Sequence, residues 1–293
     1  MNSRKNDLEI EVITSRRALI DVIRGLADHR EALTVLGGHA VIEVTQNVPS
    51  VPPDDVTHDG DLGVTPELLS DDPKLSERMS ALGYETARPE RPGVWSPISQ
   101  RDRGIYVRDS VDLIAPMSLA RGDLTSARTI RSARVGAHGK RAVSATRGTE
   151  LSIIDRSLMT LRSFDEGPAV DAYVAGPAAL LCAKAYKIYD RLDPAELQRN
   201  ADRLRPKDYA DVYRLLLAIA PEDAAAEFSR GTADERIAEA VVLGQRWLVM
   251  VLQDAPNAAA MIADAWGDPD RETGFRSQIE EWRRRFVAQT EDV

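Results

Sequence analysis

Residues 32–64 constrain the fold of this chain more than any other stretch. An apolar run over residues 32–36 is followed by Gly37-Gly38, a proline-containing segment and Asp59-Gly60-Asp61. Glycines directly after a strand leave backbone N–H groups free to face a phosphate. Two acids at positions i and i+2 of a strand point to the same face of the sheet. The pattern therefore predicts a strand, a glycine turn, a short helix and a second strand that brings two carboxylates near a phosphate-binding turn.

A third acid lies within a later apolar segment. Asp112 stands in the run Val-Asp-Leu-Ile, in the second strand of a hairpin that we predict over residues 94–114. A lone carboxylate among buried apolar residues requires a cationic or metal partner. Asp109, in the turn, is an alternative third acid, and Asp112 has the alternative of an outward-facing position on an edge strand. Together with Asp59 and Asp61, a third acid suits a divalent metal that carries a nucleoside triphosphate.

The composition is typical of a soluble globular protein. Hydrophobic residues make up 43% and charged residues 29% of the 293 positions. The single cysteine, Cys182, excludes an internal disulfide and favours a reducing cytoplasm. The N-terminus is charged and lacks an apolar segment, and residues 240–252 are too short, and too polar at Gln245 and Arg246, to cross a membrane. We therefore expect a cytoplasmic protein with no membrane partner.

The charge is unevenly distributed along the chain. The net charge of −9 argues against indiscriminate binding to nucleic acid. Residues 124–149, however, contain basic residues and no acid, which makes this segment a candidate polyanion site. The alternative is a solvated basic face. The basic residues of the segment are Arg128, Arg131, Arg134, Lys140, Arg141 and Arg147.

The composition changes near residue 176, and the change separates two kinds of structure. Upstream, short helical and strand-like segments alternate, beginning with a helix that we predict over residues 7–30. Downstream, the chain is rich in Ala and Leu, and its apolar period predicts a series of helices. We predict an α+β fold, with a mixed-sheet domain over residues 1–170 followed by a helical bundle over residues 171–293.

Two helices of the second part carry a set of charged residues. Lys184 and Lys187 have the spacing that places them on one face of a helix, and Asp208 and Asp211 have the same spacing on the next helix. A lysine on a rigid helix beside the sheet can reach the oxygens of a triphosphate as a point charge. The alternative is a pair of solvated helices joined by ion pairs, each of which contributes little to stability.

These segments together resemble the nucleotidyltransferase superfamily, which has the polymerase-β-like fold, and in particular its AbiE-type toxin branch. The resemblance covers residues 30–64, with the glycine pair and the two acids. It also covers residues 174–218, with a Gly-Pro-Ala-Ala-Leu-Leu run into Lys and a Lys-Asp-x-x-Asp motif. Two features depart from the family pattern: the segment between the glycines and the acids is longer, and His39 stands where serine is frequent. His39 is either a phosphate ligand or a histidine with structural partners at a helix start.

The resemblance implies a mixed-sheet nucleotidyltransferase domain that moves a nucleoside monophosphate from an NTP to an acceptor hydroxyl with Mg²⁺ (or Mn²⁺). It also implies an RNA acceptor, such as the 3′ end of tRNA, and a toxin that is regulated by a cognate antitoxin protein. The helical domain would contribute residues to the active site. The implied catalytic residues are Asp59, Asp61, Asp112, Lys184 and Asp208, and the first three are the implied metal ligands. The implied nucleotide-binding residues are Gly37, Gly38, His39, Lys184 and Lys187.

Two other functions are compatible with the same residues. An acidic surface attracts cationic small molecules, so an aminoglycoside-like compound is an alternative acceptor. A protein of the same fold that binds a nucleotide or a partner protein without catalysis is a further alternative. The presence of all three acids argues for catalysis over this last interpretation.

Overall fold

The computed structural model of the chain forms two compact units. The first unit consists of Met1–Glu43, Pro53–Thr146 and Arg156–Ala175. The second unit consists of Val44–Pro52, Arg147–Asp155 and Gly176–Val293. The residues that the structure describes are 2–48, 57–88, 91–98, 109–121, 131–192, 194–199 and 204–290.

A mixed β-sheet belongs to the first unit. Its strands among the described residues are β1 (Leu33–Val35), β2 (Asp59–Val64), β3 (Tyr84–Arg88), β4 (Arg91–Pro97), β5 (Ser110–Pro116), β6 (Arg131–Ser132), β7 (Ser144–Thr146), β8 (Arg156–Arg162) and β9 (Ala169–Ala175). They are ordered β3-β4-β5-β2-β1-β9-β8, with β7 also beside β5 and β6 beside β7. The pairs β2–β5, β1–β9 and β5–β7 are parallel, and the other pairs are antiparallel.

One face of the sheet is packed against the first helix. Gly60 of β2 allows this close approach, because a Cβ atom at Gly60 would lie only 3.0 Å from the Cβ atom of Leu19. Side chains alternate along a strand, so Asp59 and Asp61 point to the opposite face of the sheet. The helices that accompany the sheet are α1 (Asn2–Gly25), α2 (Gly37–Thr45), α3 (Leu75–Ala81) and α4 (Met117–Arg121).

The second unit is helical over most of its described residues. Its first four helices begin at a proline, which lacks the N–H group that a helix start leaves unpaired in any case. Within the described part of the chain, no helix combines the length and the hydropathy needed to cross a lipid bilayer. The helices are α5 (Pro177–Arg191), α6 (Pro194–Arg199), α7 (Pro206–Ala218), α8 (Pro221–Ala233), α9 (Ala238–Gln253), α10 (Ala255–Trp266) and α11 (Glu272–Thr290).

The structure confirms the predicted α+β class and corrects several predicted boundaries. The helix predicted over residues 7–30 ends at Gly25, and a 3₁₀ helix follows over Ala27–Ala32. The hairpin predicted over residues 94–114 has its turn at Arg108-Asp109-Ser110, and its second strand is observed as β5. Its first strand lies within residues 99–108, outside the described part, and the strand observed in antiparallel pairing with β5 on that side is the earlier β4. Because β5 pairs with β2, β4 and β7, Asp112 occupies an interior strand, and the edge-strand alternative is wrong.

Candidate metal and phosphate site

Three aspartates converge on neighbouring parallel strands. The register of β2 and β5 places Asp59 opposite Ser110 and Asp61 opposite Asp112. Because opposite residues of paired strands share a face, the three carboxylates lie on the face that points away from α1. One carboxylate oxygen from each aspartate lies within 4.8 Å of the others. This spacing allows one or two divalent ions to bind to all three carboxylates.

The electrostatics of the cluster favour a bound cation. Burial and the charges of Asp61 and Asp59 raise the pKa of Asp112, and Arg91 acts in the opposite direction. The Oδ1 atom of Asp112 is buried and has no hydrogen-bond partner among the described residues. A buried carboxylate oxygen without a donor is unfavourable, and a metal ion would satisfy it. A ligand set made only of carboxylate oxygens suits Mg²⁺ or Mn²⁺.

The glycine pair brings the first turn of α2 against this cluster. Gly37 has a φ of +61°, and a Cβ atom there would collide with the carboxylate of Asp61. A Cβ atom at Gly38 would collide with the hydroxyl of Thr57. The Leu36 amide donates to the carbonyl of Asp61 at 2.9 Å, which fixes the start of α2 beside β2. The first amides of a helix lack partners within the helix and attract anions, so this turn is suited to phosphate.

His39 is the third residue of α2, and it is fully buried. Its Nε2 atom is 3.2 Å from Oγ of Ser15, and its ring stacks with that of Phe164 at a centroid distance of 6.3 Å. The Ser15 hydroxyl also donates to the carbonyl of Thr57 at 2.8 Å. These contacts agree with the structural alternative for His39. Its role as a phosphate ligand stays a prediction.

The charged residues predicted on the later helices form a cluster within the second unit. Lys184 Nζ donates to Asp208 at 3.2 Å and also to Asp211, and Lys187 Nζ lies 3.0 Å from Asp208. Burial would lower the pKa of Lys184, but Asp211 and Asp208 outweigh burial and raise it. Burial would also raise the pKa of Asp208, but Lys184, Lys187 and Arg191 outweigh it and lower this pKa. The ion pairs between α5 and α7 are thus buried, whereas one of the two interpretations of the sequence was that they are solvated. The catalytic roles of Lys184 and Asp208, and the nucleotide contact of Lys187, stay predictions.

The basic segment is described only in part. Arg128 lies outside the described residues. Arg134, Lys140 and Arg141 are exposed, and they surround the 3₁₀ helix over Gly136–His138 that precedes β7. These three basic side chains are therefore accessible to solvent.

The chain matches no protein-family model, no curated protein and no solved structure. The interpretation of the site therefore rests on its geometry. That geometry combines three carboxylates aligned by parallel strands, a buried carboxylate oxygen without a hydrogen bond and a helix start at a glycine pair.

Thr57 is a residue of the site that the sequence analysis did not single out. It is buried, and its hydroxyl packs against Gly38. Thr57 stands two residues before Asp59 and just ahead of β2, so one further step of the period that predicts the acid pair predicts the same side for Thr57. That period is the signal that identifies it.

A buried ion pair also supports α2 and was not predicted. Arg16 of α1 is fully buried, pairs with Glu43 of α2 and donates from Nε to the carbonyl of Arg162 at 2.9 Å. Its guanidinium carbon lies 4.8 Å from the centre of the Phe164 ring. Burial lowers the pKa of Arg16, and Glu43 opposes this shift. The helical period is the signal that could have identified Arg16, because Val12, Ile13, Leu19 and Ile20 surround it at helical spacing. Arg17, which is exposed and pairs with Asp165, has Thr14 and Asp21 at the same spacing.

Proposed function

We propose that this protein is a Mg²⁺-dependent nucleotidyltransferase that moves a nucleoside monophosphate from an NTP to an acceptor hydroxyl. The observation that supports the proposal most is the convergence of Asp59, Asp61 and Asp112, whose carboxylate oxygens lie within 4.8 Å of one another. The adjoining start of α2 supports binding of the triphosphate. The sequence resemblance to the AbiE-type branch of the polymerase-β-like nucleotidyltransferases points in the same direction.

The residues of the site match the requirements of this reaction. Bound Mg²⁺ or Mn²⁺ would lower the pKa of the attacking hydroxyl and neutralise charge on the departing pyrophosphate. Asp59, Asp61 and Asp112 would hold the ions. Asp112 also suits acceptance of the hydroxyl proton, because a carboxylate beside the attacking hydroxyl can act as a general base. The amides of Gly37 and Gly38 would donate to phosphate oxygens and orient the triphosphate for in-line attack.

The acceptor that we propose is RNA, in particular the 3′ end of tRNA. The exposed basic residues Arg134, Lys140 and Arg141 support contact with a phosphate backbone on a chain whose net charge is −9. The toxin role and a cognate antitoxin protein follow from the family resemblance. Transfer to the free 3′ hydroxyl of tRNA would block the end at which tRNA is aminoacylated, and thereby translation.

The test is transfer of label from each of the four α-labelled NTPs to total tRNA in the presence of Mg²⁺. We expect labelled RNA with at least one NTP, and loss of labelling in EDTA or in Asp59→Asn and Asp61→Asn. The control variant is Asp71→Asn, an exposed acid outside the cluster, which should keep full activity. A folded protein that labels no RNA with any NTP would refute the RNA acceptor.

A combined Arg134→Ala, Lys140→Ala and Arg141→Ala variant distinguishes RNA from a small cationic acceptor. An RNA acceptor binds through its phosphates, so the variant should lose most of its transfer activity at low ionic strength. The loss should shrink as the ionic strength rises, because the variant makes fewer salt-sensitive contacts with phosphates than the unmodified protein does. Transfer to an aminoglycoside should change little, because a cationic compound does not need these residues. Transfer to an aminoglycoside without any transfer to RNA would favour the small-molecule alternative.

A further inference from the structure

A second feature of the first unit is the outer edge of β8, which is the edge that does not pair with β9. β8 ends the strand order of the sheet, and β9 is its only strand neighbour among the described residues. All seven residues of β8 pair with β9 without a shift in register. Leu158 is 50% exposed, and Thr160 is exposed as well. An uninterrupted, solvent-accessible strand edge therefore lies at this end of the sheet.

The register shows which backbone groups point outward from β8. The Ser163 amide donates to the carbonyl of Pro168 at 3.2 Å, and the Gly176 amide donates to the carbonyl of Asp155 at 2.9 Å. In an antiparallel pair, hydrogen-bonded and non-hydrogen-bonded pairs alternate. Ser157, Met159 and Leu161 consequently bond to β9, whereas the N–H and C=O groups of residues 156, 158, 160 and 162 point away from it.

Contacts at the outer edge agree with this assignment. The carbonyl of Arg162 accepts a hydrogen bond from Arg16 Nε at 2.9 Å, as an outward-pointing group can. Among the described residues, no hydrogen bond reaches the backbone of Leu158 or Thr160. Two residues at i and i+2 thus present donors and acceptors at the spacing of a β-ladder.

The sequence of β8 has few of the features that usually protect an edge strand. Proteins protect such edges with charged side chains, especially Lys, and with Pro, bulges or very short strands. The charged residues of β8 are Arg156 and Arg162 at its two ends, and residues 157–161 carry no charge. The strand Arg-Ser-Leu-Met-Thr-Leu-Arg contains no Lys or Pro, and its pairing with β9 shows no bulge. The exposed side chain of Leu158 adds an apolar contact, and Phe164 just beyond the strand is 42% exposed.

We propose that β8 binds an extended segment of another protein by strand addition. Only an extended main chain matches alternating donors and acceptors at strand spacing. Pairing with a second copy over the whole strand, centred on Met159, would place Arg156 opposite Arg162 at both ends, which is a repulsive arrangement. The favoured partner strand therefore has acidic residues opposite Arg156 and Arg162 and an apolar residue opposite Leu158.

The test uses a synthetic peptide of this chemistry, acetyl-Glu-Thr-Thr-Ile-Val-Thr-Glu-amide, and hydrogen exchange of individual amides followed by NMR. Antiparallel addition places its two Glu residues opposite Arg162 and Arg156 and its Val opposite Leu158. The control peptide is N-methylated at the second Thr and at Val, whose amides would face β8. At millimolar concentrations of the first peptide, exchange at Leu158 and Thr160 should slow at least about tenfold, because these amides become hydrogen-bonded. The amides of Ser157 and Met159 are already bonded to β9, so their exchange should stay unchanged.

Two variants separate strand addition from unspecific binding. Thr160→Pro removes one outward donor but no hydrogen bond to β9, and it should abolish the slower exchange at Leu158. Thr160→Val keeps the donor and should behave like the unmodified protein. The amides of Ser157 and Met159 report in each variant whether the β8–β9 ladder is intact. If Thr160→Pro disturbs that ladder, strand addition is tested by comparing the two peptides on the unmodified protein.

Two results would overturn the proposal. The first is equal exchange at Leu158 with and without the peptide, or equal slowing by the N-methylated peptide. The second is slow exchange at Leu158 and Thr160 in the protein without peptide, if dilution both dissociates a dimer and restores fast exchange. A second copy of the chain would then occupy the edge. Neither result would affect the nucleotidyl-transfer assay, which depends on other residues.

Discussion

At the scale of single residues, the carboxyl group of Asp112 links the stability of the protein to its proposed metal. Burial and the charges of Asp61 and Asp59 raise the pKa of Asp112 above its ordinary value of 3.8. When the pKa of a carboxyl group is higher in the folded state than in the unfolded state, the group contributes stability that is fully present below the unfolded-state pKa. This stability is lost as the pH rises through the folded-state pKa. Above the raised folded-state pKa, the metal-free protein therefore contains an unfavourable charge at this position.

Asp112→Asn removes that charge and should stabilise the metal-free protein. At about pH 8 in EDTA we expect a Tm higher by about 2–4 °C, which corresponds to about 1 kcal/mol of unfolding free energy. The difference should disappear as the pH falls toward 3.8, the ordinary carboxyl value. Mg²⁺ should raise the Tm of the unmodified protein more than that of the variant. Thermal denaturation followed by circular dichroism measures both effects, and identical pH profiles for the two proteins would contradict the argument.

Gly37 and Gly136 provide a matched pair for testing the glycine turn. Both have left-handed φ angles, +61° and +58°. A Cβ atom at Gly37 would collide with Asp61, whereas one at Gly136 would meet no atom within 4 Å. Gly136→Ala should therefore lower stability by about 1–2 kcal/mol through backbone strain alone.

Gly37→Ala should in addition displace the carboxylate of Asp61. We expect Mn²⁺ affinity to fall about 10- to 100-fold, the range found for groups that orient metal ligands. Gly136→Ala should bind Mn²⁺ like the unmodified protein. Equal Mn²⁺ affinity in the two variants would mean that the close approach of Gly37 to Asp61 has no role in the metal site.

At the scale of secondary-structure elements, the sequence predicts what is local and misses what is long-range. The period of two along β2 places Asp59 and Asp61 on one face, and the apolar neighbours of Asp112 predict a strand. The parallel pairing that puts Asp112 opposite Asp61 joins positions 51 residues apart in the chain, and β3 and β4 lie between them in sequence. No local pattern encodes that register, so the sequence identifies the candidate ligands but not their contact.

The helices α5 and α7 are joined by a buried charge cluster whose loss should destabilise the second unit. Lys184 is 6% exposed and pairs with both Asp208 and Asp211. Lys184→Met leaves two buried carboxylates with one cation fewer, and breaking such a pair lowers stability by about 3 kcal/mol or more. The side chain of Lys187 is 35% exposed, so Lys187→Met should lower the stability less. Urea denaturation measures both changes, and equal losses would show that burial does not govern the contribution of these lysines.

At the scale of the whole molecule, composition indicates a change from a sheet-containing part to a helical part. It does not indicate that Val44–Pro52 and Arg147–Asp155 group with the later helices. The segment Arg147–Asp155 joins this unit through contacts with α5 and α9, which are distant from it in sequence. A Cβ atom at Gly148 would lie 2.7 Å from Tyr186, and the Ala179 amide donates to Asp155 at 2.7 Å. Contacts of this kind have no sequence period and could not be predicted.

We propose that Asp59, Asp61 and Asp112 together hold a divalent metal. The most direct test is a Mn²⁺ titration in which the free ion is measured by electron paramagnetic resonance. We expect Mn²⁺ to bind to the unmodified protein and to Asp71→Asn. The affinity should be at least about tenfold lower in Asp61→Asn and Asp112→Asn, since each variant loses a ligand. Mn²⁺ binding of equal affinity in Asp61→Asn, Asp112→Asn and the unmodified protein would contradict this proposal.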